Sequence, residues 1–339
     1  MIKVNKNNTI YVLCPAYVKT GGPELLHQLV CELNKQNKKA IITYFDYNQS
    51  DTNYTHDSFK KYVNCYKLID EIIDDEKNII VFPETFCHTS KLYTKSKKVL
   101  WWLSVDNYLQ SYGVFSSIKR IGLINFLRKI KHKQVHFDNK VIYNFDFHLC
   151  QSYYAIDFLK KKGINDVGYL SDYINDIYFE KDYSKEFKKE NNVLYNPKKG
   201  FDFTKHIIEN SNNLNWIPII NMTNDEVRDL LSRSKVYIDF GNHPGKDRFP
   251  REAAISGCCV ITGKKGAANY YEDVPISNEF KFEDTKENIL NIKQCIEKCL
   301  YYYEQESLKF EKYRDFISSE KQKFSDCVEK VFEWSDIND

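Results

Sequence analysis

Tyr237–Thr262, YIDFGNHPGKDRFPREAAISGCCVIT, is the stretch on which the reading of the fold turns. YIDF and CCVIT are short runs of β-branched or aromatic residues bounded by Gly and Pro, and REAAIS between them holds helix formers and stops at Gly257. The order strand, loop, helix, strand is one step of an open parallel sheet. In such a sheet ligands bind beyond the carboxyl ends of the strands, and a helix start offers unpaired N–H groups and the positive end of its dipole to a phosphate. Lys246, Arg248, Arg251 and Glu252 occupy that loop and helix start. Fixed cations beside a carboxylate imply an anionic ligand that also carries hydroxyls.

Working outward, TIYVLCPAY (9–17) is followed by Lys19-Thr20-Gly21-Gly22-Pro23 and then ELLHQLVCELNKQ, with leucines at 25, 26, 29 and 33. This predicts a strand, a Gly-rich turn and an amphipathic helix. Pro23 suits a first helical turn, and Gly21-Gly22 lets backbone pass close to a ligand. AIITYF (40–45), NIIVF (78–82), KVLWWLSV (98–105) and FDFHLCQS (145–152) continue as strands separated by longer segments, the alternation of a parallel sheet covered by helices. A polar stretch at 182–192, DYSKEFKKENN, reads as a linker. Beyond it a second series begins: VLYN (193–196), the turn Pro197-Lys198-Lys199-Gly200, NWIPII (215–220), a helix NDEVRDLLSRS capped by Thr223 or Asn224, then VYIDF and VITG. From about Thr285 to Trp334 the chain reads as helix throughout. What repeats is a Rossmann-like βαβ plan, once in each half, with domains expected at 1–175 and 176–339.

Composition narrows the function classes. A chain of 339 residues exceeds what one core usually organises, and a net charge of +2 argues against wholesale nucleic-acid binding. No run approaches the roughly 20 apolar residues that cross a bilayer, and the start MIKVNKNNTIYVL lacks a signal-peptide pattern, so a cytoplasmic protein is expected. The ten cysteines are scattered without a CxxC pair, and no His or Cys cluster has metal-ligand spacing; reduced thiols and no metal are expected.

Two Rossmann-like halves, a GG turn after the first strand and a carboxylate-led helix in the second half together resemble the GT-B glycosyltransferases, specifically the family 4-like group. HLCQSYYAIDFLKKKGI (148–164) resembles the end of that family's N-terminal domain, VLYNPKKG (193–200) the opening of its C-terminal domain, and REAAISGCCVIT its nucleotide-binding helix and following strand. The resemblance covers nearly the whole chain. It implies an α/β GT-B fold: two Rossmann-like βαβ domains facing each other across a cleft, with C-terminal helices, the first binding acceptor and the second a nucleotide-sugar. It also implies that the nucleotide-sugar is a substrate and that no cofactor is tightly bound.

Carried over by position, Glu252 resembles the carboxylate that holds the ribose hydroxyls, and its acceptor-only oxygens suit a vicinal diol. Lys199, with its neighbour Lys198, matches the loop lysine that approaches the diphosphate, where an ammonium neutralises charge on the leaving group. Gly22 matches the glycine whose backbone faces the donor phosphate, and Gly266-Ala267-Ala268 the small-residue loop near the nucleotide. Family 4 enzymes commonly carry a further glutamate eight positions before the one matched by Glu252, and this chain has Pro244 there. Lys246, Arg248 and Arg251 stand in its neighbourhood, and Arg forks match diphosphate oxygens; the alternative is an Arg/Asp network around Asp247.

For the acceptor, VFPETFCH (81–88) and WWLSVDNYLQS (101–111) place Glu84 and Asp106 just after strands, as groups that orient or deprotonate a hydroxyl. Their bland alternatives are a salt bridge for Glu84 and a helix N-cap for Asp106. The resemblance favours retention of anomeric configuration. Residues 113–137, GVFSSIKRIGLINFLRKIKHKQVHF, interleave six Lys and Arg with apolar residues and contain no acid before Asp138, a pattern that fits an anionic membrane surface or a solvated helix face. The resulting expectation is a transferase that moves sugar onto a bacterial surface glycan, capsule or lipopolysaccharide, through a glycan or lipid-linked acceptor. Rival classes are a sugar-nucleotide epimerase or another nucleotide-activated group transferase, and a non-catalytic glycan- or lipid-binding relative. A nicotinamide-dependent oxidoreductase would need a fuller GxGxxG than the GG-P present here.

Overall fold

The computed structural model describes residues 1–51, 53–112, 114–131, 136, 138, 140–180 and 187–335. The chain divides into two compact units, one of Met1–Ser171 with the segment from Lys323 onward, the other of Asp172–Gln322. The division thus falls between Ser171 and Asp172 rather than after residue 175, and the last segment returns to the first unit. Of the polar stretch read as a linker, 182–186 lie outside the described residues, whereas Glu190–Asn192 open a strand.

Among the described residues, the first unit holds a seven-stranded parallel sheet. Its members in chain order are β2 (Ile10–Pro15), β3 (Ala40–Phe45), β4 (Tyr66–Leu68), β5 (Ile79–Pro83), β6 (Lys97–Trp102), β7 (Phe147–Cys150) and β8 (Val167–Tyr169), and their spatial order is β4-β3-β2-β5-β6-β7-β8. The central strands are continuous apolar runs because both faces are covered. Val12 pairs with Val81 and Val81 with Val99, so the carboxyl ends of β2, β5 and β6 lie level. Helix α1 (Gly21–Lys35) follows β2 and buries Leu25, Leu26, Leu29 and Leu33. Leu13, Phe82, Leu100, Trp102 and Leu159 form part of one core; full burial of such a side chain stabilises by roughly 1.5–3 kcal/mol. α2 (Val105–Ser111), α3 (Val114–Ile121), α4 (Leu123–Lys131) and α5 (Tyr153–Lys161) complete the helices of this unit before the break.

The second unit has a five-stranded parallel sheet in the order β10-β9-β11-β12-β13, formed by β9 (Glu190–Tyr195), β10 (Asn215–Pro218), β11 (Ser234–Asp239), β12 (Cys259–Gly263) and β13 (Lys281–Phe282). Helices α6 (Phe201–Glu209), α7 (Asn224–Arg233) and α8 (Arg248–Ile255) connect them. Thr223 caps α7 in a reciprocal box with Glu226, whose carboxylate accepts from the Thr223 N–H at 2.7 Å. The Lys189 ammonium donates to the carbonyls of Leu231, Ser234 and Ser256, so one cation closes the carboxyl ends of α7 and α8. Val193, Ile238, Ile261, Ile292, Phe310 and Ile317 share the core.

The C-terminal region is helical as expected through α9 (Ile289–Tyr301), α10 (Tyr303–Leu308) and α11 (Glu311–Val331). It ends differently. Phe332–Trp334 form a strand, β14, which pairs in parallel with β1 (Ile2–Val4), Ile2 facing Phe332 and Val4 facing Trp334. No helix among the described residues is long and apolar enough to cross a membrane.

Candidate functional site

In the second unit, Tyr195 pairs with Ile238 and Ile238 with Ile261, so β9, β11 and β12 deliver three loops to the same edge of the sheet. The loops are locked to one another. Gly200 ends the Pro197–Gly200 turn at φ +60°, where a Cβ would stand 2.1 Å from the Phe240 carbonyl oxygen. Gly266, at φ +56°, meets the loop after β11 as closely: a Cβ would lie 2.1 Å from the His243 carbonyl oxygen, which accepts from the Ala267 N–H at 2.9 Å. Gly266 and the fully buried Ala267 therefore brace the loop after β11, with neighbouring backbone already occupying the space beside Gly266.

On this frame four charged side chains form a chain. The Lys199 ammonium lies 2.8 Å from Asp247, Asp247 is 3.2 Å from His243 Nδ1, and His243 Nε2 is 3.4 Å from Asp239. Asp239 is oriented by the Gly241 N–H at 2.9 Å and the Tyr237 hydroxyl at 3.0 Å. Burial alone would push the His243 imidazolium below its ordinary pKa; Asp239 and Asp247 outweigh it and hold the value raised. Burial likewise opposes the Lys199 charge, and Asp247 reverses the effect. Asp239, His243 and Asp247 offer ligand atoms within 4.8 Å of one another, the spacing of a possible metal group. The carboxylates face opposite nitrogens of one ring, however, and an ammonium already closes the far end, so the set is an ion-paired chain rather than a cation cage. Lys198 is exposed on the same turn, its N–H donating to the Asn196 side chain.

Lys246 and Arg251, expected at the diphosphate, are placed elsewhere. Lys246 is 2% exposed, 2.6 Å from Glu320, and stacks on Phe316 at 4.5 Å. Arg251 is fully buried; its guanidinium donates to Glu320 at 2.9 Å, to Asp172 at 3.0 Å and to the carbonyls of Lys246 and Asp247 at 2.9 and 3.2 Å. A buried guanidinium needs its donors satisfied, and two acidic residues far away in sequence satisfy them. Arg248 lies on the margin of this network, 3.7 Å from Asp172 and 18% exposed in its side chain. These cations do sit in a buried acidic network, but it is built on Asp172 and Glu320, whereas the carboxylate of Asp247, around which such a network was expected, faces Lys199 and His243. Glu252 is half-buried on α8 and accepts from the Tyr178 hydroxyl.

In the first unit the level ends of β2, β5 and β6 open a cavity of 240 Å³ against the start of α1. Gly22, Glu84, Leu103, Ser104 and Asn107 line it, and Gly21 is exposed on the same turn. Residues 62 positions apart in sequence, Gly22 and Glu84, are brought together here because Glu84 directly follows β5 and Gly22 opens the helix that the loop after β2 leads into. Glu84 is 2% exposed and accepts from the Leu103 N–H at 3.1 Å. Burial pushes its carboxyl up to about 7 against the hydrogen bonds from Leu103, Ser104 and Asn107. Asp106 does not line this cavity: it is buried and accepts from the Tyr154 hydroxyl at 3.0 Å. Nor is it the helix cap, a role taken by Ser104, which accepts from the Asn107 N–H at 3.1 Å.

Sequence reasoning passed over Asp239, His243, Asn107, Tyr178, Asp172 and Glu320. Asp239 and Asn107 could have been found by the strand-end rule that selected Glu84, whereas Asp172 and Glu320 carry no local signal.

No known family model matches the chain, and no curated protein matches it in sequence. Solved structures do match. HepE of Anabaena, in complex with UDP, superposes on 96% of this chain and 99% of its own with a TM-score of 0.59 and 9% identity. TarM covers 94% of this chain and 98% of its own at a TM-score of 0.62 and 10% identity. Sucrose-phosphate synthase of Thermosynechococcus elongatus covers 96% and 98% at a TM-score of 0.62 and 10% identity. At such identities the likeness is one of fold, and together with the two Rossmann-like units it establishes that this chain has the GT-B fold found in glycosyltransferases.

Proposed function

We propose that the protein is a glycosyltransferase that moves a sugar from a nucleoside diphosphate donor to a hydroxyl acceptor. The observation that carries this reading is Lys199 held on a rigid turn at the carboxyl ends of β9 and β11, with Glu252 on the helix that follows β11. Lys199 neutralises charge developing on the departing diphosphate, and Glu252 accepts hydrogen bonds from the ribose hydroxyls. Lys198 and Arg248 are secondary cations for the same anion, and Gly21 and Gly22 offer backbone to a phosphate. The solved structures of HepE with UDP and with UDP-glucose support a uridine diphosphate sugar as the first donor to try.

The cavity beside Glu84 takes the acceptor hydroxyl. The Glu84 carboxyl is wrapped by donors, which suits orientation of a hydroxyl better than wholesale removal of its proton. We therefore favour retention, in which the leaving phosphate oxygen takes the acceptor proton as the new C–O bond forms on the same face. The acceptor proposed is a bacterial surface glycan, capsule or lipopolysaccharide, presented on a lipid. α4 supports the lipid: Leu123, Ile124 and Leu127 are 57%, 77% and 56% exposed beside Arg128, Lys129 and Lys131, while Phe126 turns inward. Of the basic segment, residues 113, 132–135 and 137 lie outside the described residues.

Calorimetric titration with UDP and the other nucleoside diphosphates tests the donor site. Lys199→Ala is expected to weaken the best ligand by about 10-fold or more, as loss of a charge-assisted contact does; Glu252→Ala is expected to weaken a nucleoside diphosphate but not inorganic pyrophosphate. A parent protein that binds none of the five common nucleoside diphosphates defeats the proposal.

A further inference from the structure

His243 is the least expected member of the charged chain in the second unit. It is fully buried, stands at φ +41° in the left-handed region, and has its carbonyl pinned by the Ala267 N–H. A non-glycine residue there is uncommon and costs backbone strain, so the packing around it over-determines its place. Its ring reaches a carboxylate on each side, Asp239 at 3.4 Å and Asp247 at 3.2 Å, and Asp247 in turn holds Lys199 at 2.8 Å.

We propose that His243 is a positioning residue for Lys199: as an imidazolium bridging Asp239 and Asp247, it fixes the carboxylate that presents the Lys199 ammonium to the donor diphosphate. This rests on the donor reading given above and names what controls that site. The physical reason is the number of donors. An imidazolium has an N–H for each carboxylate, whereas a neutral ring has one N–H and one lone pair. Loss of the proton sets that lone pair against a buried carboxylate oxygen at close range, and the Asp247 carboxylate, which also holds Lys199 at 2.8 Å, is the one at the loop end rather than on the strand. The charged groups facing His243 are Asp239 from β11, Asp247 from the start of α8, Lys199 from the turn after β9 and Asp284 from the segment after β13. Asp284 is engaged by Lys265 at 2.5 Å. The two carboxylates in contact with the ring outweigh both burial and the Lys199 charge. The imidazolium therefore persists at pH values where an exposed histidine is neutral, and Lys199 loses its bearing only as pH rises past that point.

The test is a double-mutant cycle on nucleoside diphosphate binding, with UDP as the first probe, measured calorimetrically from pH 6 to 9 on the parent, His243→Asn, Lys199→Met and the pair. The parent is expected to lose affinity about 10-fold as pH rises through the His243 titration, and His243→Asn to bind about 10-fold more weakly at pH 6.5 without that pH dependence, as when one charge-assisted contact is lost. In the Lys199→Met background His243→Asn is expected to cost nothing further, because the interaction it supports is gone. An equal cost in both backgrounds, or a pH dependence that survives in His243→Asn, overturns the proposal. Should the variant fail to fold, nitrogen NMR of the parent's imidazoles decides: both nitrogens of His243 protonated at pH 7 supports the bridge, and a neutral ring overturns it. A parent that binds no nucleoside diphosphate but shows the protonated ring removes the donor reading, and this proposal with it; a parent that binds, with His243 neutral, removes this proposal alone.

Discussion

Replacing Arg251 with methionine removes a buried guanidinium while keeping most of its volume, so the loss is electrostatic rather than a cavity. Two carboxylates lose a partner. Glu320 retains Lys246 at 2.6 Å, whereas the ion pair left to Asp172, 3% exposed in its side chain, among the described residues is the longer one to Arg248 at 3.7 Å. One buried carboxylate is left nearly uncompensated, together with the carbonyls of Lys246 and Asp247, and breaking such a pair costs about 3–5 kcal/mol. The sign of the pH dependence follows from Asp172. Burial would raise its carboxyl, and Arg251, followed by Arg248, holds it below the ordinary value of 3.8. A carboxyl depressed in the folded state contributes stability above its unfolded pKa and loses it as pH falls through the folded one. In Arg251→Met that depression is gone, so the penalty is largest near pH 7.5 and shrinks towards pH 4.5 as Asp172 takes up a proton. Two units need not unfold together, so the assay is native-state hydrogen exchange of the amides of α8 and α11 in urea, at both pH values. Asp172→Asn added to Arg251→Met should recover part of the loss. A penalty under ~1 kcal/mol, or one equal at pH 4.5 and 7.5, would refute the view that this network holds the second unit together.

Glu84→Gln is expected to stabilise the first unit at pH 8: a carboxyl raised from 4.5 to about 7 by burial destabilises the fold as it ionises between those values, by roughly 3 kcal/mol in full. Chemical denaturation at pH 5 and pH 8 checks it, and parent and variant with the same pH dependence would show that Glu84 is not strained by burial. Ile124→Glu with Leu127→Glu should abolish co-sedimentation with vesicles containing phosphatidylglycerol and leave UDP affinity unchanged; undiminished vesicle binding would remove the membrane role of α4.

How much was legible in the sequence depended on how many neighbours a residue's role required. IYVLCP, AIITYF and VYID announce themselves because a strand covered on both faces must be apolar along its length. The strands Tyr66–Leu68, Val167–Tyr169 and Lys281–Phe282 carry no such signal: each is two or three residues long at a sheet edge, too short to show a period. Phe332–Trp334 was hidden by a helical context and by a partner at the opposite end of the chain. Glu84 could be singled out because the strand-end rule is local, and Gly22 because a Gly-Gly pair before a helix is a local signal too. Arg251 was misplaced because its carboxylates stand 79 and 69 residues away, and nothing near Arg251 tells a ligand-facing guanidinium from a buried one. His243 was missed although Asp239, His243 and Asp247 recur every four residues. They lie at a strand end, in a loop and at a helix start, so the recurrence has no meaning until the left-handed turn at His243 brings them together.

The pairing of β1 with β14 has a consequence for how the chain is made. Ile2–Val4 acquire their partner strand only when Phe332–Trp334 emerge, after the whole of Asp172–Gln322 has been synthesised. At ~5–20 residues per second, the roughly 150 residues of Asp172–Gln322 alone take on the order of 10–30 s. For that time the seven-stranded sheet can form while Ile2–Val4 present an unpaired strand edge, the kind of surface that recruits a wrong partner. The pairing of these two strands is therefore a late, long-range event, and Ile2–Val4 are exposed to mispairing until Phe332–Trp334 arrive.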